Sequence, residues 1–192
     1  MSVLLYYSIS LAFGVTYNFL HLIYIALFSL CFFSLSILLS KLHKISLEKE
    51  KVCSYTFTRG MKIFLILVGI SLFVAWLPDI IMSIKNGTSL GMIEVYTTEI
   101  TYVLDMGIIS PLIFLTYYLV KKGSFIGYSL LRMIFKICIC VGVMLPVQTV
   151  FQSLAGISIP LEALITKVLI FVLMAIFAIY FEYRIKKETK YL

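Results

Sequence analysis

The chain of 192 residues is 62% hydrophobic and only 13% charged, with a mean hydropathy of +1.09 and a net charge of +7. A soluble domain carries about a quarter charged residues, so this sequence lacks the polar groups to cover a water-facing surface. The excess of Lys and Arg gathers between apolar runs, where it serves as an orientation signal and calls for no nucleic-acid partner.

Apolar runs occupy 2–15, 18–42, 60–84, 96–121, 125–155 and 159–185. They are too long for strands and lack two-residue alternation. In lipid, a helix also satisfies every backbone polar group within itself. The expected fold class is therefore all-α: an integral membrane helical bundle of about six transmembrane helices, in a single transmembrane domain over 1–192. The first run falls short of a full span, since its helix would reach about 22 Å against a hydrocarbon core of about 30 Å; it reads either as a partial span or as the remaining part of a longer helix. Its opening, MSVLLYYSIS, has neither the basic start nor the small-residue cleavage site of a secretory signal. Ser8 and Ala12, and Ser10 and Gly14, have the small-xxx-small spacing that lets helices approach closely.

The breaks between runs are polar. A basic loop over 43–59 contains Glu48-Lys49-Glu50-Lys51, Lys85-Asn86-Gly87-Thr88 is a turn, Lys121-Lys122-Gly123 is a tight cap, and Gly156 to Pro160 separates the last two runs. Lys41, Lys44, Lys49, Lys51, Arg59 and Lys62 fall at the second break, Lys121, Lys122 and Arg132 at the fourth, and Arg184, Lys186, Lys187 and Lys190 at the end. Six alternating spans put all three groups on one side, and the opposite loops hold only Lys85. The positive-inside rule makes that side cytoplasmic. Both termini, including a 186–192 tail, would then be cytoplasmic in a cell-membrane protein.

Ionisable groups within spans are costly and usually face a bundle interior or a wet cavity. From helix rise, Asp105 lies roughly 13 Å, Lys167 roughly 12 Å and Gln148 roughly 11 Å inside the outer boundary, with Lys136 near the middle of its span. Thr98, Thr101, Tyr102 and Asp105 share one helix face, as do Gln148 and Gln152. Glu99, Glu162, Asp79, Asn18 and His21 fall nearer the outer rim. The outer half therefore reads as a polar, acid-rich vestibule narrowing to an Asp/Lys cluster. Binding candidates are Asp105, Lys167, Gln148, Lys136, Tyr102, Glu99, Gln152 and Glu162. Pro78, Pro111 and Pro146 each remove a backbone donor within a span.

No cofactor or metal is implied. His21 and His43 fall on opposite sides, and Cys138 and Cys140 point about 200° apart on a helix, so the cysteines read as small buried hydrophobes. Two expectations compete. In the first, a small solute or ion is bound or transported at the outward-facing cavity, Asp105 taking a cationic group or a proton and Lys167 an anionic one. In the second, the polar cluster only locks the helices of an accessory subunit that meets a partner membrane protein. A membrane-embedded enzyme using a carboxylate base is the weakest alternative.

Three segments, LLYYSISLAFGVTYN (4–18), YTTEITYVLDMGIISPLIFL (96–115) and LPVQTVFQSLAGISIPLEALITKV (145–168), resemble a family of prokaryotic multi-pass membrane proteins for which no activity is established. The resemblance implies extra helices ahead of the segment matching 4–18, which this chain would lack, and it places Asp105, Gln148, Glu162 and Lys167 within the matching segments. In size and in its small-residue first helix the chain also resembles, by architecture alone, the substrate-capture subunits of energy-coupling vitamin transporters.

Overall fold

A computed structural model describes residues 1–15, 18–48, 57–87, 100–156, 161 and 164–189, with the side chains of 43–48, 79, 166, 167 and 189 excepted. About 91% of the described residues are helical, with no strands among them, so the fold class is an all-α helical bundle. Its helices are α1 (Ser2–Gly14), α2 (His21–Glu48), α3 (Arg59–Asn86), α4 (Ile100–Lys121), α5 (Phe125–Leu154) and α6 (Ile170–Thr189). The helices at His21–Leu42, Arg59–Asn86, Ile100–Lys121 and Phe125–Leu154 are long and apolar enough to cross a membrane. Much of their surface is bare hydrocarbon: within α2, Leu22 is 78% and Leu30 67% exposed. Lipid solvates such a surface and water does not. This is a membrane protein.

The apolar runs become helices with small shifts at the ends. One shift is in α2, which continues past residue 42 to Glu48, into the stretch that charge alone marks as loop. Residues 43–48 contain no Gly or Pro to stop the helix, so it persists where the apolar run ends. Two segments are π-helical, Asp105–Ile109 within α4 and Leu164–Leu169 leading into α6. Pro78 and Pro146 are absorbed within α3 and α5.

The chain folds as two compact units. The first comprises Met1–Lys51 and Gly69–Leu115. In it α1 packs on α2 and on the start of α4. Ser8 and Gly14 are the buried residues of α1, in keeping with the close approach that small side chains allow. Phe13 of α1 meets Phe28 of α2 edge to face at 5.4 Å. At the start of α2, the Asn18 side chain accepts the Leu20 N–H at 2.9 Å, and its carbonyl accepts the His21 N–H at 3.0 Å. These bonds satisfy amides that a helix start leaves open.

The second unit comprises Val52–Val68 and Thr116–Leu192. Phe64, Phe135 and Phe181 form an aromatic core with ring centroids 5.5 to 5.9 Å apart, surrounded by fully buried Met61, Leu65, Leu131, Ile134 and Ile185. The α4–α5 connection is the tight cap expected at Lys121-Lys122-Gly123. Gly123 has φ +73°, the Ser124 N–H reaches the Leu119 carbonyl at 3.0 Å, and the Gly123 N–H reaches Val120 at 2.9 Å. This pair of bonds is the Schellman arrangement, which needs a residue tolerant of positive φ. Further along, a Cβ on Gly142 would lie 2.4 Å from Cβ of Ala175 and 2.8 Å from the Phe171 carbonyl. Only glycine lets α5 and α6 come this close.

Candidate functional site

The first unit holds the most unusual polar group in the chain. Asp105 opens the π-helical turn of α4, where the Ser110 N–H bonds to the Asp105 carbonyl five residues back. Pro111 accounts for the widening: it lacks the N–H that the Gly107 carbonyl would take, and its ring crowds that carbonyl. A π turn is rare in helices and concentrates at functional positions. Ser110, fully buried, secures the turn by donating its hydroxyl to the Gly69 carbonyl of α3 at 2.8 Å.

Both oxygens of the Asp105 carboxylate accept hydrogen bonds from other helices. The Tyr6 hydroxyl of α1 donates to Oδ1 at 2.9 Å, and Nε1 of Trp76 in α3 donates to Oδ2 at 2.9 Å. The Tyr102 ring lies 6.3 Å from that of Trp76, so Tyr102 and Asp105, one helix turn apart, meet the same indole. Among the described residues Asp105 forms no ion pair with Lys or Arg. Two neutral donors orient a carboxylate and partly solvate it, but they leave its formal charge uncancelled. Asp105 and its neighbours can therefore accept a proton or face a cation.

The other residues expected at this site divide three ways. Gln148 and Lys136 of α5 are exposed, and Gln152 is half-buried on the same helix. Lys167 falls in the second π-helical segment, so each of the two π turns carries one of the ionisable groups expected deep in a span. The side chain of Lys167, with Glu99 and Glu162, lies outside the described residues. Tyr6 and Trp76 were not among the candidates. The available signal was Trp76 itself, the only tryptophan in the sequence, because a tryptophan within a span needs an acceptor for its indole N–H.

Two further groups need a place. Gly87-Thr88-Ser89-Leu90-Gly91 has the GxSxG spacing of a hydrolase nucleophile turn. That turn joins a strand to a helix, whereas this stretch follows α3, and 88–91 lie outside the described residues. In the second unit, Arg132 of α5 donates to Oε1 of Glu182 in α6 at 2.9 Å through Nη2 and 3.3 Å through Nε. The sequence marks Arg132 only as a basic residue near the fourth break, but with Glu182 it forms an interhelical ion pair. Oε2 of Glu182 is buried with no hydrogen-bond partner among the described residues.

No family model matches this chain, and neither a curated protein nor a solved structure matches it.

Proposed function

We propose that this membrane protein binds a small cation, or a solute carrying a cationic group, at Asp105, and that its role is to bind or move that solute. The observation that supports this reading is the Asp105 carboxylate, held by Tyr6 and Trp76 at 2.9 Å each with neutral donors only. A charge inside a span is costly unless something balances it. An exchangeable cation or proton would supply that balance, and the π turn is the kind of local irregularity that functional sites retain. In this reading the basic breaks face the cytoplasm of a prokaryotic cell, both termini lie there, and Asp105 is approached from the outer side. Membership of the prokaryotic multi-pass family is part of the same proposal.

One observation favours a second reading. Tyr6, Trp76 and Asp105 come from three helices, so the same bonds would also lock α1 and α3 to α4 in an accessory subunit that docks on a partner membrane protein.

Thermal unfolding of detergent-purified wild type and Asp105→Asn, against monovalent cations, amines, amino acids, vitamins and lipids, separates the two. A ligand at 100 times its Kd adds about 2.7 kcal/mol, a rise of several degrees. The binding reading expects such a rise in wild type and none in a folded Asp105→Asn. If no ligand shifts the wild type and the variant melts several degrees early, the cluster is a lock.

A further inference from the structure

We propose that the second unit holds the headgroup of an anionic phospholipid between the start of α3 and the last turns of α6. A groove of about 690 Å³ opens there, lined by Thr58 and Arg59 on one side and by Ile176, Phe177, Tyr180 and Arg184 on the other. This inference is independent of the reading of Asp105.

The order of side chains along α6 carries the argument. Ile176, Tyr180 and Arg184 are four residues apart and so form one stripe, each about 6 Å further along the axis. The stripe runs from apolar through amphipathic to cationic, the order in which a phospholipid runs from acyl chain through glycerol to phosphate. Ile176, Phe177 and Tyr180 are each more than half exposed. A polar solute gains little from such a wall, whereas an acyl chain is solvated by it.

At the polar end the chemistry suits a phosphate. Arg59 and Arg184 supply guanidinium groups, which recognise phosphate through paired N–H bonds. Glu188 takes Nε of Arg184 through a long 3.3 Å contact, and no acidic residue lines the groove among the described residues. The opposite wall is the start of α3, where first-turn amides and the positive helix end favour an anion. Thr58 accepts the Met61 N–H through Oγ1 at 3.4 Å and the Lys62 N–H through its carbonyl at 3.1 Å, so the cap is fixed beside Arg59. Charge complementarity and the exposed apolar wall together select an anionic lipid over a zwitterionic one.

The test uses the whole chain in neutral detergent, with bound lipid counted by native mass spectrometry. Dioleoyl phosphatidylglycerol, dioleoyl phosphatidylcholine and inorganic phosphate serve as probes. With about 1 kcal/mol per interfacial basic residue, two arginines predict a preference for phosphatidylglycerol over phosphatidylcholine of about 25-fold. The double variant Arg59→Gln/Arg184→Gln should lose most of that preference, and Glu188→Gln, which leaves both arginines in place, should keep it. Equal retention of the two lipids by wild type would overturn the proposal, as would an unchanged preference in the double variant. Millimolar inorganic phosphate that displaces phosphatidylglycerol would overturn it too, by making the groove a simple anion site. Should the double variant fail to fold, wild type decides alone: a preference that collapses in high salt supports the site, and one indifferent to salt refutes it.

Discussion

The two units treat an interhelical carboxylate in opposite ways. In the second, Glu182 is met by the Arg132 guanidinium, and the pair is formally neutral before any ligand arrives. In the first, Asp105 is met by a phenol and an indole, which carry no charge. The Arg132–Glu182 arrangement resolves its electrostatics within the protein. The Asp105 arrangement leaves a formal charge that its two neutral donors do not cancel. A carboxylate within a helical bundle is thus not informative by its presence alone; these two differ in whether their partners are charged.

Substitutions test that contrast, and the largest effect belongs to the ion pair. Arg132→Gln leaves Glu182 buried without its cation and should cost about 3 kcal/mol of stability in detergent unfolding. Replacing both members, Arg132→Met with Glu182→Leu, should bring stability back to within about 1 kcal/mol of wild type. A double variant as unstable as the single one would mean that the pair itself, and not the stranded charge, holds α5 to α6. Next comes the neutral side of the comparison. Trp76→Phe removes one donor to a charged group and should cost about 2 kcal/mol, a loss that shrinks in an Asp105→Asn background if Asp105 is ionised. Ser110→Ala should cost about 0.6 kcal/mol, typical of a hydrogen bond between membrane helices; a much larger loss of melting temperature would show that the π turn depends on it. Glu188→Gln touches only the Arg184 contact one turn away on an exposed face, and should change stability by less than about 0.5 kcal/mol.

The sequence made the helices visible because twenty consecutive apolar residues have few other ways to satisfy their backbone in lipid. It made the Gly123 cap visible for a similar reason, since two lysines and a glycine end a helix by conformation and charge together. Asp105 stood out as the one acid deep in the run 96–121. Its partners did not stand out: Tyr6 lies in a run read as a partial span, and an aromatic in a span reads equally well as lipid-facing or packed. Arg132 and Glu182, fifty residues apart, gave no local sign of pairing. The π turns were hidden because one extra residue within a turn leaves hydropathy unchanged.

That extra residue has a consequence for how the site is aimed. Each residue of an α-helix turns the chain by about 100°, and a π turn closes on the fifth residue instead of the fourth, so it takes up one extra residue while Asp105 stays stacked over Ser110. The direction in which Asp105 points is therefore kept by the wide turn, and the same residues wound as an α-helix would swing the carboxylate by about 100°. Losing one codon from 106–109 would make Asp105 and Ser110 an ordinary i, i+4 pair, so the turn could close as α-helix with the carboxylate still aimed at Tyr6 and Trp76. In this helix, the wide turn takes up the extra residue and keeps the aim of the site.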